Sequence, residues 1–192
     1  MILKRILFIV FMVMVIVPKP VFSQDEDFKN LKFKDRLFFG GEFWLSFGNS
    51  SYVDISPVVG YRVTSRFSAG VGPIYIYEKS TYFRYETSTY GGKILLSYNL
   101  FRNLGQYIPI NLGDIILHAE NEGVNVEVFQ LDNQGYFYST GTRLWIDNLL
   151  LGGGIRQPIG KRASINLYIL WDVTQNTYSS YSNPIIRVGF NF

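Results

Sequence analysis

The chain has 192 residues, of which 17% are aromatic and only 17% are charged, and it contains no cysteine. A chain of this length is expected to form one domain, and the lack of cysteine excludes disulfides, thiol chemistry and a lipid-modified cysteine anchor. Soluble domains carry about 25% charged residues, so much of this surface is expected to face something other than water. The net charge of +3 is not informative, because the first 23 residues hold three of the 18 basic residues and none of the 15 acidic ones. The rest of the chain is neutral, which gives no support to a nucleic-acid-binding protein.

The N-terminus has the pattern of a secretory signal peptide. Lys4 and Arg5 precede an unbroken apolar run over 6–17, and Pro18 ends that run. The run is too short to span a bilayer as a helix, although an uncleaved anchor is the alternative. We predict a signal peptide over 1–23, cleaved after Ser23 or, as second choice, after Gln24. The polar stretch 24–35 then reads as a short periplasmic lead-in, followed by a β-barrel domain over 36–192.

From residue 36 onward, apolar and polar residues alternate with the period of two that is typical of β-strands. The alternating segments number eight, and they lie at about 37–47, 53–63, 66–79, 89–101, 107–120, 142–157, 165–172 and 184–192. A slip in the alternation near Asp147 predicts a β-bulge. Strands of this length suit a membrane-spanning barrel, in which each strand needs about 9–11 residues.

The predicted connections also follow a pattern. Short turns are expected after strands two, four and six, and longer loops after strands three, five and seven, such as 80–88 and 121–141. The alternation is weakest in strand five. An alternative is that this strand continues through Val124, Val126 and Val128 as a hairpin arm above the membrane. Short periplasmic turns opposite longer external loops, with an even number of strands, are typical of outer-membrane barrels.

Alternation alone does not separate a membrane barrel from a soluble one, since a lipocalin-like barrel alternates with its apolar face inward. Here the polar face is rich in small residues that suit a tight interior, namely Gly40, Ser46, Ser68, Gly70, Gly72, Ser97 and Gly189. Tyrosine and tryptophan also recur near the predicted strand ends, as in the aromatic girdles of membrane barrels. Both features favour the membrane barrel, and a secreted soluble barrel is the alternative.

The last strand carries Ile186, Val188, Phe190 and Phe192 on one face. It resembles the C-terminal strand of bacterial outer-membrane β-barrels, and over 36–192 the alternation resembles the small eight-stranded barrels of the OmpA/OmpX type, without a periplasmic domain. The resemblance implies an all-β fold, an eight-stranded antiparallel transmembrane β-barrel with up-and-down meander order, in the outer membrane. It also implies that Phe190 and Phe192 form the signal read by the barrel-insertion machinery. The implied partners are the lipid bilayer, that machinery and an envelope protein reached through the external loops.

If the polar faces point inward, charged residues of both signs enter the lumen, which an eight-stranded barrel is just wide enough to fill with side chains. These residues are Glu42, Asp54, Arg62, Arg66, Lys93, Arg156, Asp172 and Arg187. We predict a structural ion-pair network among them, with Glu42 paired to Lys93 or to Arg62. The alternative is a narrow path for ions or solutes, which the small radius disfavours.

His118 is the single histidine, and the strand pattern predicts that it lies near the outer rim. An enzyme with a rim site at His118 is therefore an alternative function, with Asp114 and Glu120 close in sequence and Asp172 approaching in space. No enzyme motif supports it, and one histidine without cysteine does not make a transition-metal site. The glycines 152–154 lie within a strand, so they do not form a phosphate-binding loop. We expect no cofactor, no metal and no nucleic acid, and a non-enzymatic structural, adhesive or accessory-subunit role.

Overall fold

A computed structural model describes residues 28, 30–46, 48, 50–102, 104–106, 113–159, 163–176, 179 and 181–192. The predicted signal peptide and the start of the lead-in lie outside these residues. The chain divides into two units, 1–31 and 32–192. In the first, the Leu31 N–H donates to the Phe28 carbonyl at 3.2 Å; the second holds every strand. No helix among the described residues is long and apolar enough to cross a membrane.

A one-turn helix, α1 (Phe33–Arg36), leads into eight strands, with a turn of 3-10 helix (Leu104–Gln106) after the fourth. The strands are β1 (Leu37–Ser46), β2 (Ser50–Arg62), β3 (Phe67–Ser80), β4 (Tyr85–Phe101), β5 (Asp114–Leu131), β6 (Phe137–Pro158), β7 (Ser164–Asp172) and β8 (Ile185–Asn191). Each strand pairs antiparallel with the next, and β8 pairs with β1 to close the barrel. The predicted all-β, eight-stranded, up-and-down barrel is confirmed.

The predicted ends of the central strands were wrong. The ladder between β3 and β4 runs to the pair Ser80–Tyr85, and that between β5 and β6 runs to Leu131–Phe137. The predicted loops 80–88 and 121–141 are therefore mostly strand, and the connections are only 81–84 and 132–136. The alternative in which strand five continues through Val124, Val126 and Val128 is confirmed, since β5 runs to Leu131. Strand pairing is made by the backbone, so it continues through polar residues that weaken the hydropathy signal.

The predicted alternation of short and long connections was also wrong, because the connection after β4 spans 102–113. The asymmetry lies in strand length: β3 to β6 have 14 to 22 residues, whereas β7 and β8 have nine and seven. The ladder passes Asp147 without a break, and the register shifts lie instead at Asn99/Phe101 and Glu127/Phe129. The central strands therefore form two long hairpins, β3–β4 and β5–β6.

Burial alternates along the strands with the polar residues inside. On β7, Ser164, Asn166 and Asp172 are buried, whereas the alternating Leu167 and Trp171 are 45% and 48% exposed. The outer wall carries large apolar side chains on many strands, including Phe39, Val71, Ile94, Leu167, Ile169 and Ile186. This arrangement is the reverse of a soluble barrel, which buries its apolar face.

The interior is filled by side chains in distinct groups. One apolar cluster comprises Ile116, Leu150, Tyr168, Leu170 and Ile185, and another comprises Ile74, Val124, Val126 and Ile146. Charged, amide and hydroxyl side chains occupy other inward positions, together with Phe38, Val58 and Leu95. A barrel of this strand number has an interior that side chains can fill, and these do so.

Pro57 stands in the middle of β2, where proline removes a ladder hydrogen bond. Glycines lie on both sides of it. Gly41 pairs with it from β1 and has φ of 146°. The ladder between β2 and β3 stops at the pair Ile55–Tyr75 and resumes at Val59–Val71. Within this break lies Gly72 of β3, where an added Cβ would be only 1.9 Å from the Pro57 carbonyl oxygen. The two glycines therefore let the neighbouring strands approach an irregular stretch of β2.

Candidate functional site

The inward faces of four strands bring five charged side chains together inside the barrel. Glu42 comes from β1, Lys93 from β4, Glu120 and Glu122 from β5, and Arg187 from β8. Each lies on the inward side of its alternating strand, so parity alone points them into the lumen. We call this group the charged cluster. Lys93 and Glu120 have no exposed side-chain surface at all.

The charged cluster is connected by short ion pairs. The Lys93 ammonium lies 2.9 Å from a carboxylate oxygen of Glu42 and 2.9 Å from one of Glu120. The Arg187 guanidinium lies 3.2 Å from Glu42, 3.1 Å from Glu120 and 2.8 Å from Glu122. Arg187 also donates to the Tyr181 hydroxyl oxygen at 2.7 Å. Two cations therefore hold three carboxylates, and Arg187 contacts all three.

A fourth carboxylate lies close to the charged cluster without a cation of its own. Asp54 is 9% exposed, and the Ser56 hydroxyl donates to it at 2.7 Å. Within the described part of the chain, no Lys or Arg forms an ion pair with Asp54. Four interior carboxyl groups thus stand against two cations in this part of the interior.

His118 lies inside the barrel, so the prediction that it is near the rim was wrong. It is 4% exposed and its ring packs on Tyr168 at 4.5 Å between centroids. Its Nδ1 is 2.8 Å from the Ser97 hydroxyl and its Nε2 is 3.3 Å from Glu120. The prediction placed β5 too early in the chain; the strand starts at Asp114, so His118 falls near its beginning.

The order Ser97, His118, Glu120 resembles the hydrogen-bonded chain of a nucleophilic site. The cavity beside Ser97 and His118 has a volume of about 20 Å³. That is room for one water molecule and not for an acyl substrate. Glu120 is also shared with Lys93 and Arg187. The geometry accordingly fits a buried polar network better than a catalytic site.

The remaining predicted lumen residues have separate places. Arg156 donates to Asn166 at 3.1 Å and to Asn99 at 3.2 Å, and it is paired with Asp114 in the ladder between β5 and β6. Asp172 accepts hydrogen bonds from Thr174, Gln175 and Ser179 and so organises the loop after β7. Arg62 is exposed at the end of β2, and Arg66 is half-buried in the turn before β3. Of the predicted set, the structure brings together Glu42, Lys93 and Arg187, with Asp54 nearby. Phe190 and Phe192 lie on the exposed outer face.

Sequence reasoning missed Glu120, Glu122 and Tyr181 as members of the interior network. The alternation did put Glu120 on the same face as His118, and continuing it two residues reaches Glu122, which the predicted loop hid. Tyr181 lies in the connection between β7 and β8, and no strand pattern marks it. Its position depends on that loop, in which Asn183 bonds to the Asp172 backbone at 2.7 and 3.0 Å.

The seam where β8 meets β1 is paired over only part of its length. Its ladder comprises Gly40–Asn191, Gly41–Phe190 and Glu42–Gly189 in the described residues, with two further backbone bonds between Phe39 and Phe192. Beyond Glu42, β1 continues to Ser46 paired with β2 alone. A cavity of about 500 Å³ lies there, lined by inward residues such as Asp54 and Arg187 and by outward ones such as Phe43 and Val188. Among the described residues, this cavity connects the interior with the outer wall at the seam.

The two long hairpins meet at their tips. The Phe137 N–H donates to the Phe83 carbonyl at 3.2 Å, and the rings of Phe83 and Tyr85 pack on Phe137. The Arg143 guanidinium ties the stems together, donating to the Ser88 carbonyl at 2.6 Å. The Ser139 hydroxyl donates to Glu127 and lowers the pKa of that carboxyl. Tyr82 is 75% exposed at this end, so the tips present an aromatic surface.

Among the residues that the structure describes, no group of three His, Asp or Glu side chains is placed to hold a metal ion. No protein-family model matches the chain, and no curated protein matches it.

Proposed function

We propose that the chain is a non-enzymatic, integral outer-membrane β-barrel whose long hairpins offer a contact surface to another envelope component. The observation that carries the proposal is the reversed burial: large apolar side chains cover the outer wall, while carboxylates, ammonium and guanidinium groups lie inside. In water this arrangement would expose a broad apolar surface, which soluble monomers rarely do. In lipid, a closed barrel satisfies its backbone internally.

Aromatic residues at the limits of the apolar wall support the same placement. On β3 the outward face runs from Phe67 to Tyr77, and on β4 from Tyr98 to Tyr90. Eight to ten residues separate these aromatic pairs, which at a tilt near 45° corresponds to a band about 20–25 Å tall. That height matches the apolar band of outer-membrane barrels. The hairpin tips would stand beyond it.

The interior supports a structural role over transport or catalysis. The charged cluster holds three carboxylates to two cations by short ion pairs, and apolar clusters fill the neighbouring space. The exposed aromatic residues of the hairpin tips supply the kind of side chain that is enriched at protein interfaces. Secretion by the N-terminal signal, insertion through the Phe190 and Phe192 strand and docking of an envelope protein at the tips are parts of this proposal.

The membrane placement is tested by a pair of acidic substitutions on the outer wall. Ile94→Asp places a charge at a residue that is 58% exposed within the apolar band, and Leu131→Asp places one at a 60% exposed residue beyond it. We expect Ile94→Asp to lower the unfolding free energy in vesicles by about 1–2 kcal/mol, because charge on the lipid face is costly. Leu131→Asp is expected to change it by less than about 0.5 kcal/mol.

The measurement uses protein expressed from the full chain, purified from the host envelope, and unfolded in guanidinium in vesicles. A protein that folds in plain buffer and tolerates both substitutions equally would contradict the membrane barrel and favour the soluble one.

The alternative of a narrow pore has its own test. The purified protein in a planar bilayer is expected to show no discrete openings, because the lumen is filled by side chains. Regular conductance steps that change size when Lys93 is replaced by Met would contradict the closed interior and favour the pore. Steps that are unaffected by this substitution would come from a contaminating channel, so a preparation lacking the protein is run beside it.

A further inference from the structure

The partly paired seam between β1 and β8 leaves strand edges without partners in the wall of the barrel. Past the Glu42–Gly189 pair, residues 43–46 of β1 and 185–188 of β8 have no ladder between them in the described residues. Unpaired edges carry rows of N–H and C=O groups, and such groups are costly to leave unsatisfied in lipid. Something polar must therefore reach this gap from the membrane side or from within.

The gap joins two different surfaces. The cavity of about 500 Å³ at the seam is lined by charged inward residues, Glu42, Asp54 and Arg187, and by outward apolar ones, Phe43, Ile186 and Val188. A ligand that fits both surfaces is an amphiphile, with its polar head in the gap and its hydrocarbon chain along the outer wall. Gly41, with its φ of 146°, lies one residue before Glu42, which forms the last pair of the ladder between β1 and β8.

The charged residues that line the gap indicate which kind of headgroup it can bind. Arg187 already contacts Glu42, Glu120, Glu122 and Tyr181, so it is not free to bind a phosphate. Asp54 lines the gap, is nine-tenths buried and has a hydroxyl donor but no cation among the described residues. Four carboxyl groups and two cations lie in this region, so a ligand that brings a further cation is favoured over one that brings an anion. An ammonium with N–H bonds can pair with Asp54 in a charge-assisted hydrogen bond.

We propose that the β1–β8 seam binds the headgroup of an aminophospholipid from the surrounding bilayer. Its primary ammonium donates to the Asp54 carboxylate, close to the rings of Tyr52 and Trp44, which also line the gap. Its phosphate oxygens accept hydrogen bonds from unpaired strand-edge N–H groups, and its acyl chains lie along Phe43 and Ile186. This inference rests on the proposed membrane placement, and the experiment below separates the two.

Two tryptophans allow lipid binding at the gap to be distinguished from lipid contact elsewhere on the barrel. Trp44 lines the gap, whereas Trp171 is exposed on the outer face of β7, outside the lining of the gap. Trp145→Phe with Trp171→Phe leaves Trp44 as the only tryptophan, and Trp44→Phe with Trp145→Phe leaves Trp171. Both variants are placed in phosphatidylcholine vesicles containing a small fraction of brominated lipid, either phosphatidylethanolamine, phosphatidylglycerol or phosphatidylcholine. Bromine quenches a tryptophan only on close contact.

Brominated phosphatidylethanolamine is expected to quench Trp44 at about a fivefold lower fraction than the other two lipids, as one partly screened ammonium–carboxylate pair predicts. Trp171 is expected to be quenched equally by all three. Asp54→Asn should remove the preference at Trp44. Asp147→Asn, which removes a charge on the exposed outer face of β6, should leave the preference intact.

Each other outcome overturns a different statement. Equal quenching of Trp44 by all lipids, with Trp171 also quenched, would overturn the headgroup site and leave the membrane barrel in place. A preference for phosphatidylglycerol would overturn the assignment of charge. No quenching of either tryptophan would overturn the membrane placement and the site with it. A preference that survives Asp54→Asn in a folded, heat-modifiable protein would overturn the role of Asp54.

Discussion

Replacing Arg187 with methionine (Arg187→Met) is expected to lower the free energy of unfolding by about 3–5 kcal/mol, the usual cost of removing one partner from a buried charge network. Arg187 lies within 3.2 Å of three carboxylates and is 8% exposed. Without it, Glu42, Glu120 and Glu122 would share the single charge of Lys93 in a low-dielectric interior. The measurement is guanidinium unfolding in vesicles, followed by tryptophan fluorescence.

The matched control is Lys79→Met. Lys79 also lies 2.9 Å from a carboxylate, that of Glu86, but both side chains are about half exposed. An exposed ion pair contributes little, so this change is expected to leave the midpoint of unfolding close to that of the unchanged protein. Adding Glu122→Gln to Arg187→Met should recover about 1 kcal/mol or more, because it removes a carboxylate left without its partner. A cost at Arg187 no larger than that at Lys79 would contradict the network.

Replacing Gly72 with valine is expected to cost about 3 kcal/mol or more, at the upper end of the cost of overpacking. A Cβ at Gly72 would lie 1.9 Å from the Pro57 carbonyl oxygen and 3.0 Å from its carbonyl carbon. These are backbone atoms of the adjoining strand, so no side-chain rotation relieves the overlap. The β2 and β3 backbones would have to separate at the place where Pro57 already interrupts their ladder.

Gly92 provides the comparison, since it lies on the next strand and faces outward. The nearest atom to a Cβ there is 3.6 Å away, an ordinary contact. Gly92→Val is expected to change the unfolding free energy by less than about 1 kcal/mol, since an added apolar side chain would meet open space on the outer wall. Heat-modifiable mobility on a gel and guanidinium unfolding measure both variants. Equal behaviour of the two would show that the approach of β2 to β3 at Pro57 is not required for folding.

Much of the fold follows from the alternation alone. Side chains on a strand alternate strictly between its two faces. Once apolar Ile94 is placed outside and Lys93 inside, the faces of all the remaining residues of β4 follow. The same parity placed Glu42, Lys93 and Arg187 on the inner side, where they meet. The strand count and the meander order also follow, since short turns between antiparallel neighbours leave few other arrangements.

Strand ends and the location of His118 were less accessible to sequence reasoning. The hydrophobic signal fades where the hairpins extend beyond the apolar band, although their backbones remain paired up to Leu131–Phe137. A boundary error on β5 moved the predicted strand toward the N-terminus and put His118 at its far end. Because the start of this one strand was misplaced, a buried histidine was predicted to lie at the rim.

The class of fold, the two faces of each strand and the charged character of the interior can be predicted from the sequence, because they depend only on local periodicity. Which charges meet, and where the ladder between β1 and β8 ends, depend on contacts between distant strands. Glu42 and Arg187 are 145 residues apart in the chain and 3.2 Å apart in space. Their meeting, and the incomplete seam beside them, depend on how β8 returns to β1, and no local pattern encodes that register.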